Sequence, residues 1–383
     1  MKRRLHTTTA LIAAALVAGQ ARAADPIRLT LGGFFQTAAG VEVGGANKPG
    51  EPSFDKQAGA FKHYVQVWFE GATTLDDGLT VGARVQLYGD NESSGPIDEV
   101  YAYVGGGFGE VVFGDAYGPM QTMCVADPGQ ITRNFGLVDK DSNAFTNVGT
   151  NAAAVLQHMY TCQNSGQKGT KAIYYSPDFG GFRFAFDYQP NQNMTHGPAT
   201  GTGATDGVLR NLVSGAFEYR HDFGAVSLLA GAGFEYGLGP AEPGPRPAYY
   251  RAGLQLGFDR FKVGASGELW ENYGVSGRAN ADSATPIDNG SDAWMATAGA
   301  SYALDAWTIG LQYAHGAFQT AKHATDQYNA VSLQATYALG AGIRLEGEVA
   351  YFWYNEDKVA ASSTTSSATS RSASIGIGTY ATF

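Results

Sequence analysis

Charge is what this chain has least of: 16% of its 383 residues are Asp, Glu, Lys or Arg, against about a quarter in an average globular protein. What charge there is leans acidic, with 25 Lys and Arg against 35 Asp and Glu. Such a balance excludes a surface built to neutralise a phosphate backbone, so nucleic acid is not an expected partner. Only 2 cysteines are present, too few for a disulfide-dense small domain or a four-thiolate zinc site. Beyond the first residues there is no run of about 18 apolar residues, which rules out a helical membrane protein. The catalytic signatures G-x-S-x-G, H-E-x-x-H, G-x-x-x-x-G-K-[ST] and G-x-G-x-x-G are missing too. His63, His158, His196, His221, His315 and His323 are scattered without metal-ligand spacing. No cofactor, metal or enzymatic activity is therefore expected.

The N-terminus carries an address. Lys2, Arg3 and Arg4 precede an apolar run from Ala10 to Ala18 and the small-x-small triplet Ala21-Arg22-Ala23, the pattern of a secretory signal cleaved before Ala24. Removing residues 1–23 takes away Lys2, Arg3, Arg4 and Arg22 and no acid, so the net charge moves from −10 to −14. The expected organisation is a signal peptide, 1–23, and one unit, 24–383.

Along that unit apolar residues recur with period 2, which is the spacing of a strand with two unlike faces. Ile343, Leu345, Val349, Tyr351 and Trp353 alternate with Arg344, Glu346, Glu348 and Tyr354. Phe182, Phe184, Phe186 and Tyr188 alternate with Arg183 and Asp187, and Leu79, Val81, Val85 and Leu87 with Thr80, Arg84, Gln86 and Tyr88. Turn sequences punctuate the pattern at 75–78, 106–109, 177–181, 221–225, 258–261, 303–306 and 339–342. Longer polar stretches lie near 44–57, 89–98, 118–168, 189–208, 237–247, 274–291, 317–326 and 355–370, the last including the low-complexity run ASSTTSSATS (361–370), which reads as a mobile loop. Seven short turns alternating with eight long connections make sixteen strands, with strands of roughly 9–11 residues. An apolar outer face with no second sheet or amphipathic helix to cover it fits lipid. There only a closed barrel pairs every strand backbone group. The expected fold is all-β, a sixteen-stranded antiparallel transmembrane β-barrel. Tyr64, Trp68, Tyr101, Tyr103, Trp270, Tyr302, Trp307, Tyr351 and Trp353 are candidates for interfacial girdles, some of them for the lumen.

The chain ends Thr379-Tyr380-Ala381-Thr382-Phe383, and stepping back by twos gives Ala381, Thr379, Ile377 and Ile375, an outward stripe finishing on an aromatic residue. With the opening IRLTLGGFFQ (27–36), TTLDDGLTVGARVQLYG (73–89), IDEVYAYVGGGFGEVVFGD (97–115) and KAIYYSPDFGGFRFAFDYQPN (171–191), the chain resembles the Gram-negative general porins over 24–383, and within them the alphaproteobacterial type. The resemblance implies a homotrimer in outer-membrane lipid and lipopolysaccharide. It also implies a terminal Phe383 read by the barrel assembly machinery, a last strand closing on the first, and a third outer loop folded into the barrel.

That loop corresponds to 118–168, about fifty residues, a length usually reserved for function. Inward-pointing Lys62, Arg84, Arg183, Arg220 and Arg344 are the basic candidates, and Glu99 and Asp115 the acidic candidates on the wall. The loop adds Asp127, Arg133, Asp139, Lys140 and Asp141. Acids facing bases across a narrow point would make a transverse field, which passes small polar solutes and ions and disfavours apolar ones. The pore-constriction set expected on this basis is Lys62, Arg84, Glu99, Asp115, Asp127, Arg133, Asp139, Asp141 and Arg183. Cys124 and Cys162 fall in the same loop. In an exported protein a bridge is expected, worth about 4 kcal/mol for a loop of this length, with free thiols or a metal site with His158 as alternatives.

The function expected is passive diffusion of small hydrophilic solutes and ions through a water-filled channel with modest cation preference. A substrate-preferring channel of the same architecture and a surface adhesin or structural barrel are the other readings. An outer-membrane lipase, which would need Ser and His together on the lipid face, stays open as a minor alternative, since His315 is set beside an inward Tyr313 by alternation alone.

Overall fold

The computed structural model describes residues 25–44, 60–89, 96–125, 162, 168–192, 209–238, 246–272, 292–321, 324–359 and 365–383. Sixteen strands run in chain order: β1 (Arg28–Gly44), β2 (Ala60–Thr74), β3 (Thr80–Tyr88), β4 (Ile97–Gly106), β5 (Gly109–Asp115), β6 (Thr170–Tyr175), β7 (Phe182–Asn191) and β8 (Arg210–Phe223) make the first half. The second half is β9 (Val226–Leu238), β10 (Ala248–Phe258), β11 (Phe261–Glu271), β12 (Ala293–Leu304), β13 (Trp307–Ala321), β14 (Ala324–Gly340), β15 (Ile343–Val359) and β16 (Thr365–Thr382). Each pairs antiparallel with its sequence neighbours, and β16 returns to β1, so the sheet is a closed barrel without edges. One short helix, α1 (Pro119–Thr122), follows β5.

All seven short turns fall where the turn sequences lie, and each contains a residue at positive φ, among them Gly78, Gly224, Gly342, Asp259 and Asp305. This backbone lets a strand reverse within a few residues, and glycine or aspartate tolerates it best. The longer connections gather at the other end, with two exceptions that correct the sequence reading. The stretch 317–326 is mostly strand, since β13 runs to Ala321 and β14 begins at Ala324. Likewise β15 and β16 leave only 360–364 between them, and 365–370 of the Ser/Thr run is paired strand rather than loop. Strands of 15 to 18 residues over β13–β16 exceed the roughly 9–11 needed to cross a bilayer. Small Ser, Thr and Ala side chains carry no turn signal strong enough to break a ladder that the neighbouring strand keeps supplying with partners.

The two-faced alternation survives closure. Leu29, Phe69, Phe186, Leu311, Leu333, Val349 and Ile377 are exposed on the outside, while Gln66, Asp187, Glu235, Gln312, Glu346 and Glu348 are buried toward the interior. The aromatic residues divide. Tyr302, Trp307, Tyr351 and Trp353 lie on the outward parity, whereas Tyr64, Trp68, Tyr101, Tyr103 and Trp270 lie on the inward one. Tyr313 is also outward, 42% exposed, and His315 shares its face, so the inward placement expected for Tyr313 is overturned.

The barrel seam is fixed by eleven residue pairs from Phe34 with Thr382 to Gly44 with Ser372. Beyond them Phe383 exchanges two backbone hydrogen bonds with Gly33, at 3.0 and 3.1 Å. A Cβ at Gly33 would stand 2.5 Å from the Phe383 ring and 2.7 Å from the Gln66 carbonyl oxygen, so the terminal ring docks only because Gly33 has no side chain. Gly33→Val should cost about 1–3 kcal/mol of overpacking and lower the urea midpoint for unfolding from vesicles. Gly71→Ala, where the nearest atom to a new methyl is 3.6 Å away, should leave the midpoint within error. Equal midpoints for the two variants would refute this account of the seam.

Candidate functional site

The chain after β5 turns into the barrel. Tyr117 donates its backbone N–H to Glu99 Oε1 at 2.9 Å, and Thr122 Oγ1 lies 2.9 Å from the Tyr175 hydroxyl. On the far wall Arg251 Nη2 donates to the Pro119 carbonyl at 3.2 Å. A side chain at Gly233 would meet Met120 Sδ, and one at Gly253 would meet the Val125 carbonyl. Glycines on β9 and β10 thus make room for the segment 118–125, which crosses from β5 to the opposite wall. Cys124 and Cys162 form a disulfide with Cα atoms 5.6 Å apart, closing a separation of 38 residues. The returning limb is tied as well. Lys168 pairs with Asp98, donates to the Tyr88 hydroxyl at 2.8 Å and lies 4.5 Å from the Tyr117 ring centroid. Asp98 in turn accepts from Gln66 and Gln86 amides, both at 2.6 Å.

Burial of these charges is matched by bonding, as it must be away from water. Lys171 and Asp187, both almost fully buried, pair at 3.5 Å, and Asp187 also accepts the Ser214 N–H at 3.0 Å and its hydroxyl at 2.7 Å. The interior is not uniformly wet, contrary to the simple inside-polar expectation. Met120, Tyr249, Trp270, Met295, Phe318, Tyr328 and Tyr354 form an apolar cluster, each at most 4% exposed, on inward positions of β10–β15 and α1.

Polar, partly exposed groups collect on the other wall. Arg84 lies 4.7 Å over the Trp68 ring and donates from Nη2 to Gln86 Oε1 at 2.5 Å. Trp68 itself lies flat across Gly32, and Tyr103 across Gly82, where any side chain would collide with the ring. Tyr103 donates to Glu70 Oε1 at 2.6 Å. Below the crossing segment, Glu99, Tyr101, Glu110, Tyr175, Arg183 and Glu218 bound a space of about 430 Å³. Three carboxylates thus share it with one guanidinium.

Of the residues singled out from sequence, Arg84, Glu99 and Arg183 come together on this wall. Asp115 is instead buried and accepts from Thr170 Oγ1 across β5 and β6. Arg220 sits beside Glu218 at 3.6 Å with its side chain 68% exposed, and Arg344 bonds Glu346 at 2.5 Å and stacks 3.8 Å over Tyr380. Lys62 is on β2, but its side chain is outside the described residues, as are Asp127, Arg133, Asp139, Lys140, Asp141 and His158. Sequence reasoning missed Glu70, Glu110, Glu218, Asp98, Lys168 and Arg251. Strand parity alone marks Glu70, Glu110 and Glu218 as inward. Nothing local marks Asp98, which a register shift between Gln86 and Leu87 turns inward beside Glu99.

This architecture has known counterparts. A search by sequence among curated proteins finds no match. Among solved structures the chain is similar to the trimer form of OmpT of Vibrio cholerae, at 12% identity and a TM-score of 0.60, covering 94% of this chain and all of that one. It is similar to a porin refined at 1.8 Å, at 16% identity and 0.59, covering 93% and 100%. It also resembles the anion-selective porin of Comamonas acidovorans, at 16% identity and 0.58, covering 94% and 100%. At these identities the likeness is one of fold. The family model described as Gram-negative porin matches residues 8–357. The chain therefore belongs to the Gram-negative porin family, a channel barrel of the outer membrane.

Proposed function

We propose that this porin is a homotrimeric diffusion channel for small hydrophilic solutes with a weak preference for cations. The observation that carries the reading is the space of about 430 Å³ where Glu99, Glu110 and Glu218 face Arg183. Carboxylates in a confined, low-dielectric passage concentrate cations more than the same groups do in bulk water. The acidic balance of the exported chain, −14 once residues 1–23 are removed, acts in the same direction at longer range. In this reading 118–168 is the constriction loop. Arg84, Glu99 and Arg183 supply its wall side, joined by Lys62, while Asp127, Arg133, Asp139 and Asp141 supply the loop side and Asp115 braces β5 against β6 through Thr170. Phe383, docked on Gly33, is the assembly signal.

The comparison fold includes an anion-selective member, so selectivity rests on side chains rather than on the barrel. With unequal salt across a planar bilayer, the reversal potential should show cation preference. Glu110→Gln together with Glu218→Gln should cut the cation-to-anion permeability ratio about two-fold or more. A ratio unmoved by both changes would remove the carboxylates from the selectivity mechanism, and absence of any conductance would overturn the channel reading.

A substrate-preferring channel is favoured by one feature, the rings of Tyr101, Tyr117 and Tyr175 on the same space, since aromatic faces bind as well as guide. Flux that saturates for one solute would establish it.

Trimer formation is supported by polar groups on the outward face of the seam. Thr37 and Thr379 share a hydrogen bond of 2.8 Å there, and the exposed His63 is the partner of Thr37 on β2. Lipid offers these groups nothing, whereas another protein surface does. Native mass spectrometry from detergent should give the mass of three chains, and a monomer would refute the assignment.

The bridge between Cys124 and Cys162 pins a segment that crosses the lumen, so its removal should loosen the channel before it loosens the barrel. Cys124→Ser with Cys162→Ser should keep the heat-dependent shift in gel migration while raising open-channel current noise. Quiet, wild-type currents from the double variant would count against a role in the pore.

A further inference from the structure

Beneath the segment that crosses the lumen, the charges around the space of about 430 Å³ differ in what they bond. Glu99 accepts the Tyr117 N–H at 2.9 Å. Glu218 is paired with Arg220 at 3.6 Å, and the neighbouring Glu70 accepts from the Tyr103 hydroxyl at 2.6 Å. Glu110 and Arg183 remain. Neither forms a hydrogen bond or ion pair among the described residues.

Register holds these two apart. Glu110 of β5 pairs with Tyr175 of β6, Tyr175 pairs with Ala185 of β7, and Arg183 lies on the same inward parity two residues nearer the short turn. Two strand spacings, about 10 Å at the backbone, therefore separate the acid from the base, with a tyrosine ring between them. That ring is fixed, because the Tyr175 hydroxyl lies 2.9 Å from Thr122 Oγ1 of the crossing segment. Behind it Val112 and Ile173 are 4% and 2% exposed, and Tyr101 packs against them. The space thus has an apolar back and, at its rim, one unpaired charge of each sign. Both charges sit within two residues of a strand's short-turn end, so the space opens at that mouth of the lumen rather than on the loop side of the constriction.

We propose that this space is a binding subsite for zwitterionic solutes of the amino-acid and short-peptide type. The ammonium goes to Glu110. The carboxylate goes to Arg183, whose planar fork takes it through two parallel N–H donors. An uncharged side chain then lies against Tyr101 and Tyr175, where burial of apolar area adds affinity. A simple cation satisfies Glu110 and leaves the guanidinium unpaired, and a simple anion does the reverse while facing three carboxylates. Only a molecule carrying both charges uses both groups. The subsite rests on the reading of a water-filled lumen and narrows it to a class of solute.

Binding is measured by calorimetry on the full barrel in detergent, which requires no conduction, with L-phenylalanine, phenethylamine and 3-phenylpropionate at neutral pH. The amine lacks only the carboxylate of phenylalanine, and the acid only its ammonium. Phenylalanine should bind saturably and about ten-fold more tightly than either analogue. Glu110→Gln and Arg183→Gln should each weaken its binding about ten-fold. Phenethylamine should lose affinity with Glu110→Gln alone, and 3-phenylpropionate with Arg183→Gln alone. Alanylphenylalanine sets the two charges one residue further apart; tighter binding than phenylalanine assigns the subsite to short peptides, and weaker binding assigns it to free amino acids. Equal affinity for phenylalanine and phenethylamine would overturn the proposal in favour of a plain cation site. Wild-type affinity for phenylalanine in either glutamine variant would overturn it outright. The heat-dependent gel shift verifies that each variant is folded. Bilayer conductance of the same preparations reads the channel separately, so currents without phenylalanine binding reject only the subsite, and binding without currents rejects only the channel.

Discussion

A strand in hydrocarbon has no water with which to satisfy its N–H and C=O groups, and this forces the sheet to close on itself. Here the demand is met by joining β16 to β1 and by the backbone of Phe383 bonding to Gly33. Closure does more than remove an edge. Side chains alternate with period 2, and a slip of one residue would exchange the two faces of a strand. The single register at the seam therefore fixes which residues face lipid and which face the lumen all the way round. Arg84, Glu99, Arg183 and Glu218 meet on one wall because that register, passed strand by strand from β2 to β8, leaves them on the same parity.

The lumen that results is part channel and part core. On inward positions of β10–β15, Tyr249, Trp270, Phe318 and Tyr328 are as buried as residues of a soluble interior. Across from them the wall carries Arg84, Glu70, Glu99 and Glu110. Segment 118–125 separates the two, with Met120 in the apolar cluster and Tyr117 bonded to Glu99. The interior is therefore asymmetric. One side of the crossing segment packs against aromatics, and its other side bonds to Glu99 and Tyr175. Charged groups withdrawn from water at the loop roots, Lys171 with Asp187 and Lys168 with Asp98, are held in bonded pairs. Removing one partner of such a pair leaves a buried charge behind and destabilises strongly, so these pairs keep the loop in place.

The outer surface uses polar residues sparingly and in two distinct ways. Near the seam, Thr37, Thr379 and His63 interrupt the apolar belt itself, a place where protein rather than lipid makes a good neighbour. On β13–β16, His315, Asn329, Trp353 and Arg371 form an outward row next to the apolar Leu311, Leu333, Val349 and Ile375. Both sets are outward by parity and differ in their height along the strands.

What the sequence determined by itself was local and periodic. Period-2 alternation on segments such as 182–188 and 343–354, together with seven turn sequences, sufficed for strand count, closure and which end has the short turns. Each of these follows from forces acting within a few residues. Strand ends on β13–β16 escaped because Ser, Thr and Ala are indifferent to strand or loop, and a neighbouring ladder decided for them. Arg84, Glu99 and Arg183 were legible as inward candidates, because parity is written in the chain. That Asp115 would be buried against Thr170, that a register shift would set Asp98 beside Lys168, or that Arg251 would reach the Pro119 carbonyl 132 positions away was not. Those outcomes depend on which wall the crossing segment meets once the barrel is closed. Only the tertiary structure brings such distant residues together, since no local pattern encodes a contact made across a lumen.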